Sequence, residues 1–237
     1  YEECLNSDTY ACGPGSTVAR VTDGSAFPLS HTAIAGVANI GLDTNWCGHH
    51  FAQANWYAFG RLAWCDTLSS ETIAEEWLRQ TFSHDDRCVV PLKRAMMLSR
   101  EAAVDYMMPL GLHHLFAFGH HYGPEPWGYR KGMRPDWLPS YYHRADSTGI
   151  GFDRTQAGSD AVAQYAEPLR SRFNDIDRCP ESLLLWFHHV PWTHVMASQR
   201  TLWDELCLTY QRGVDSAREL AGIWQSVASY IDTERFA

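Results

Sequence analysis

From about residue 50 onwards the hydrophobic pattern of this chain is helical, and ahead of it only one short run reads as a buried strand. That run, Ala33-Ile34-Ala35-Gly36-Val37-Ala38-Asn39-Ile40-Gly41, is small, apolar and continuous, the pattern of a strand covered on both faces. A single strand cannot build a sheet, so its partners are expected upstream. The polar segment behind it, Asp43 to His50, occupies the place where a parallel α/β protein meets its ligands. The turn clusters Gly13-Pro14-Gly15 and Asp23-Gly24-Ser25 precede it.

The helical part divides at its caps and breakers. Phe51–Trp64 is aromatic on several faces, which predicts a buried helix. Ser69-Ser70-Glu71 supplies an N-cap and a first-turn acid for a helix to about Phe82. Pro91 suits the first turn of the next helix, to about Met107, which Pro109-Leu110-Gly111 closes. Residues 119–158 read as a long loop, rich in Pro and Gly at its start, and a loop of that length is usually functional. A helix is expected from Ser159 with Pro168 kinking or ending it, and another from Cys179-Pro180-Glu181 to about His189. Ser198–Asp232 reads as one long helix or as two broken at Gly213.

Charge and composition exclude several functions. A net charge of -9 without basic clusters disfavours nucleic acid. No apolar run approaches the roughly 20 residues that span a bilayer. The first residues carry no signal-peptide pattern and no initiator Met, which fits a processed or truncated chain. Secretion and a cytoplasmic location both stay open. The seven cysteines form no C-x-x-C pair and leave their redox setting open. No Walker loop, G-x-G-x-x-G or G-x-S-x-G occurs, so no nucleotide cofactor and no serine nucleophile are expected.

Two groups of residues invite chemistry. Eight of the twelve histidines are adjacent pairs, at 49–50, 113–114, 120–121 and 188–189. Neighbours on a helix point apart, so no metal site is expected; one histidine of each pair is read as packed and hydrogen-bonded, the other as facing a cavity or solvent. The aromatic-rich loops His120–Trp127, Arg134–Trp137 and Tyr141–Asp146 have the make-up of a sugar-binding surface, flat rings beside hydrogen-bonding neighbours. Loop carboxylates for glycoside hydrolysis are Asp43, Asp136, Asp146 and Asp153, although Asp153 reads more readily as a capping or ion-pairing residue.

Long strings of the chain then carry a resemblance. Gly36–Gly41, Asn45-Trp46, Ala52–Asn55, Tyr57–Trp64, His120–Pro124, Gly149–Thr155, Cys179–Glu181 and Trp186–Pro191, in this order, resemble the C-terminal region of the glycoside hydrolase family 67 α-glucuronidases. The resemblance implies a mainly α fold: a helical C-terminal domain at 49–237, preceded at 1–48 by a short β-containing tail of a (β/α)8 barrel. It implies hydrolysis, with inversion, of the α-1,2 bond between (4-O-methyl-)glucuronic acid and the xylose of a xylooligosaccharide. Inversion needs one carboxylic acid and one carboxylate base, and the family places both in the barrel, upstream of Tyr1. No catalytic residue is therefore assigned in this chain, and no cofactor or metal. Its expected partners are a glucuronoxylan oligosaccharide, the barrel of the same enzyme and a second copy. Trp46, His121, Tyr122, Trp127, Arg134 and Arg144 are the candidate substrate-binding residues: Tyr122 or Trp127 to stack on xylose, His121, Arg134 or Arg144 to bond hydroxyls. Cys12, Cys47 and Cys65 depart from the family pattern. The alternatives are a free-standing helical sugar-binding or dimerisation domain without activity and, last, a histidine-based metal enzyme.

Overall fold

A computed structural model describes residues 1–27, 32–38, 42, 49–113, 125 and 128–236. The elements in chain order are α1 (Glu2–Asn6), α2 (Val18–Thr22), α3 (His50–Trp64), α4 (Ser70–Thr81), α5 (Asp86–Met107), α6 (Pro139–His143), β1 (Gly149–Ile150), α7 (Leu169–Asn174), α8 (Leu184–Phe187), β2 (Val190–Pro191), α9 (Leu202–Ser226) and α10 (Thr233–Phe236). Short 3-10 turns lie between several of them. The fold is mainly α, and among the described residues the one sheet is the two-stranded β1–β2 pair. No described helix is long and apolar enough to cross a membrane. Two compact units divide the chain, Tyr1–Leu98 with Glu219–Ala237, and Ser99–Arg218.

In the first unit, α4 follows its sequence signals closely. The Ser69 hydroxyl accepts the Thr72 amide at 3.2 Å, the cap that the sequence predicts. Ile73, Ala74, Trp77 and Leu78 form one helical face and are buried. That face joins Ala54, Cys88, Val89, Leu92, Val227 and Ile231 in a core, with Phe51, Phe82 and Trp224 packed against it. On the other side of α4, Glu76 takes the Arg61 fork at 2.8 and 3.1 Å and ties α3 to α4.

Three expectations for this unit need correction. Helix α5 begins at Asp86, five residues before Pro91. Asp85 caps it by accepting the Arg87 amide at 2.9 Å, and Cys88, Val89 and Leu92 are buried on its first turns. That burial offsets the single helical hydrogen bond that Pro91 removes. Helix α3 is not buried all round: Ala54 and Leu62 are buried, whereas Trp64 is 88% exposed. Its rings meet α4 and the segment at Gly36, where Trp56 and Phe59 close over the glycine, and Asn55, Gly60, Ala63 and Trp64 are exposed. Finally, residues 32–38 form no strand, and Val37 is 95% exposed. A strand needs a ladder for its amides and cover for both faces, and the described residues around this run offer neither. Residues 39–41, the rest of the run, lie outside the described residues.

The second unit is centred on Leu112, Ile150, Val162, Phe173, Leu184, Leu185, Phe187, Val190, Leu202 and Leu206. The β1–β2 pair is antiparallel, with Gly149 opposite Pro191 and Ile150 opposite Val190. The expected loop at 119–158 contains more structure than its Pro and Gly suggest: Pro139 starts α6 at a position that needs no amide, and β1 follows. The helix expected from Ser159 is only a 3-10 turn at Ala161–Gln164. The amides of Ser159, Asp160 and Val162 are drawn back onto the carbonyls of Asp153, Thr155 and Arg154, which holds this stretch as turns. The helix expected to reach His189 stops at Phe187, because the chain then turns into β2. Helix α9 runs through Gly213 without a break. The glycine serves a close approach instead: a Cβ there would stand 2.6 Å from the Tyr106 amide nitrogen on α5.

Candidate functional site

Four of the six residues proposed from sequence to meet substrate, Trp46, His121, Tyr122 and Trp127, lie outside the described residues, as does Asp43. The structure places the other two. Arg134 forks onto Asp136, and Tyr142 lies within electrostatic reach of it. Arg144 ends α6 in the left-handed region, at φ 48. That conformation costs a side-chain-bearing residue about 1–2 kcal/mol. It places the guanidinium over the rings of Tyr141, at 4.7 Å, and Phe152, at 5.0 Å.

Arg144 thereby joins a cluster that the sequence did not single out. Arg154 lies against the same Phe152 ring at 4.5 Å and against Trp186 at 3.9 Å, and it donates to the Trp186 carbonyl. His113 stacks on Tyr142 at 4.0 Å, 12° from parallel, with the Trp186 ring beyond it. Tyr141 meets Tyr142 edge-on and Phe152 at a tilt, which closes the circuit. All of these side chains are half-buried except the exposed Arg144. The cluster is held from α6, the segment after β1 and α8. The His143 Nε2–H donates to the His113 carbonyl at 2.8 Å, and the Arg154 amide to the Phe187 carbonyl at 2.8 Å.

Burial sets the electrostatics. It lowers the Arg154 pKa by disfavouring the charged form, and Tyr141, Tyr142 and Tyr165 oppose the shift. It also lowers His143 and His188. Of the 188–189 pair, His188 is buried, and its Nε2 meets no partner among the described residues. His189 is half-buried, donates from Nδ1 to the Gly151 carbonyl at 2.9 Å and turns Nε2 toward Thr148 and Asp146. The pair divides into a packed member and a partly exposed one: His188 is buried with a backbone hydrogen bond at Phe173, and His189 is half-buried. His49 instead caps α3, accepting the Phe51 amide.

The loop carboxylates are occupied locally. Asp153 accepts the Thr155 amide and hydroxyl, the capping role that its sequence context suggests. Asp146 accepts the Thr148 hydroxyl at 2.6 Å and the amides of Thr148 and Gly149, which hold its pKa at about 2. A folded pKa below the ordinary 3.8 makes this turn stabilising above about pH 4 and withdraws the contribution as pH falls through 2. Thermal melting between pH 2 and 5 is expected to show a smaller acid loss for Asp146→Asn than for the parent chain; parallel profiles would assign the turn's support to other groups. Among the described residues, the carboxylates of Glu2, Asp8, Asp23, Glu75, Glu76, Asp85, Asp146, Glu167 and Asp232 are shifted, all downward. A general acid at neutral pH needs the opposite shift. The cluster offers flat rings and two guanidiniums, the means to hold a planar ligand.

Comparison with known proteins agrees with the C-terminal placement. Residues 47–237 match the profile described as "Glycosyl hydrolase family 67 C-terminus", and residues 1–46 that of the family's middle domain. The chain belongs to glycosyl hydrolase family 67. Alpha-glucuronidase A of Emericella nidulans is 36% identical over 239 positions, covering 100% of this chain and 28% of that protein. Probable alpha-glucuronidases A of Aspergillus oryzae and Aspergillus clavatus are 33% and 34% identical over the whole chain and 28% of their own length. The chain thus spans under a third of these relatives. In this family 67 chain, the string Gly149–Thr155 provides Phe152 and Arg154, and the string Trp186–Pro191 provides the ring beneath Arg154. Sequence alone gave no sign that these two strings meet, because 32 positions separate Arg154 from Trp186.

Proposed function

We propose that this chain is the substrate-shaping and supporting part of an α-glucuronidase that releases (4-O-methyl-)glucuronic acid from the xylose of xylooligosaccharides, with inversion. The observation that carries this reading is the match of the whole chain to family 67 and to proteins named alpha-glucuronidase A. The catalytic acid and base lie in the barrel, outside these 237 residues. Residues 1–48 are the last part of that barrel and 49–237 the helical domain. The exposed Val37, Leu42 and Trp64 are apolar surface for the barrel to cover, and Trp203, Leu208 and Val214 on α9 are apolar surface for a second copy. Glucuronoxylan degradation is the setting that such chemistry serves.

The reaction is tested with the chain joined to the upstream regions of the Emericella nidulans relative. On aldouronic oligosaccharides, nuclear magnetic resonance is expected to show β-glucuronic acid as the first product of the α-linked substrate. First formation of the α-anomer would contradict inversion, and release of xylose alone would contradict the glucuronidase reading.

A further inference from the structure

Three histidines meet at Gly151. Its amide donates to the His143 carbonyl at 2.8 Å, and its carbonyl accepts from His189 Nδ1 at 2.9 Å. It lies so close to the His188 backbone that an added Cβ would stand 2.1 Å from the His188 carbonyl oxygen. Helix α6, β1 and β2 thus share one junction, which the His188 amide extends to the Leu184 carbonyl of α8. Two of the three rings are packed away from water. His188 is 6% exposed, with a backbone hydrogen bond at Phe173 and no partner for Nε2 among the described residues. His143 is half-buried and donates Nε2–H to the His113 carbonyl at 2.8 Å. A neutral imidazole needs one acceptor, and each ring has it; an imidazolium needs a second and takes a charge out of water. Asp153, after β1, and Asp175, after α7, attract a proton to His188, but burial outweighs them. Burial likewise outweighs the His113 carbonyl at His143. His189 turns its other nitrogen toward Thr148 and Asp146. The Tyr142 phenol on His113, the Tyr165 phenol on Phe173 and the Cys179 thiol gain no charge as pH falls.

We propose that His143 and His188, packed around Gly151, form an acid-sensitive latch that holds α6, β1, β2 and α8 together near neutral pH and releases them in mild acid. Both histidines are lowered from the ordinary 6.5, so below that pH the unfolded chain takes up protons that the folded chain refuses. Each ring then lowers the folding constant by up to about tenfold per pH unit until its own folded pKa is reached, and the two together by up to about a hundredfold. The lowered carboxylates of this unit, Asp146 and Glu167, withdraw their support only as pH falls below their ordinary 3.8 and 4.5. The interval from about pH 6.5 to 5 therefore belongs to the histidines. Tyr141, Tyr142, Phe152, Arg154 and Trp186 are carried by the same segments, so release takes their cluster apart. The latch stands on this packing and does not depend on the α-glucuronidase reading.

Amide hydrogen exchange on the 237-residue chain, compared between about pH 7 and pH 5.5 and corrected for intrinsic rates, tests the latch. The opening constant at the Gly151, Arg154 and His188 amides is expected to rise at least about tenfold in acid. Helix α4 of the first unit contains no histidine and is expected to stay within about twofold. His143→Gln keeps a donor for the His113 carbonyl but does not titrate, and His188→Gln removes the other titrating ring. Each is expected to flatten part of the response, and the double variant nearly all of it. If His188→Gln fails to fold, nuclear magnetic resonance of the parent chain decides: the His143 and His188 rings are expected to titrate below pH 6.5. An acid response equal in α4 and the second unit, a response unchanged in the variants, or either ring titrating at or above pH 6.5 overturns the latch.

Discussion

Gly151→Ala is expected to destabilise the second unit by about 3 kcal/mol or more, enough to leave much of it unfolded. Gly151 has φ +105, a region that side chains rarely enter, and a Cβ there would stand 2.1 Å from the His188 carbonyl oxygen and 3.1 Å from that of Leu185. Both obstacles are backbone and cannot rotate aside. The same residue donates its amide to His143 at 2.8 Å and accepts from His189 at 2.9 Å, so movement here loosens α6 and β2 together. Gly60→Ala is the matching control. It sits on the exposed face of α3 with nothing within 4 Å of a new Cβ, and is expected to gain up to about 1 kcal/mol from helix propensity. Urea denaturation of both variants checks the pair, and a Gly151→Ala chain as stable as its parent would contradict the packing described.

Arg212→Ala is expected to cost about 2–3 kcal/mol. Asp105 on α5 is 5% exposed and takes the Arg212 fork at 2.6 and 2.8 Å. Breaking a buried ion pair commonly costs 3–5 kcal/mol, because one charge stays behind unpaired. The figure is reduced here because the Arg212 side chain is largely exposed and water reaches its place. Asp105→Leu combined with Arg212→Met removes both charges and is expected to recover at least half of the loss. Urea midpoints of the three chains decide; a double variant no better than Arg212→Ala would mean that the carboxylate is not the source of the cost. The pair stands beside Gly213, whose missing side chain lets α9 approach α5.

These contacts show where the sequence was readable. Helix α4 was legible end to end because its cap, Ser69, and its apolar face are local. Pro91 marks a helix start in sequence but lies inside α5, because a capping aspartate and three buried residues outweigh one lost hydrogen bond. Gly213 looked like a helix break because sequence shows its propensity and not its neighbour, Tyr106. The run at Ala33–Gly41 has the composition of a strand, yet strand formation depends on partners that composition does not provide, and residues 32–38 stay outside any sheet. At the candidate site, Arg144 was legible as a polar residue among aromatics. Arg154 was not, since its two rings come from one neighbour in sequence and one far from it.

The central claim is that this chain shapes a glucuronidase site and does not itself cut the bond. Glucuronic acid release from aldouronic oligosaccharides tests it most directly, measured for the 237-residue chain alone and for the same chain joined to the upstream regions of the Emericella nidulans relative. The account predicts turnover by the joined protein and none by the chain alone. Release of glucuronic acid by the isolated chain would contradict it.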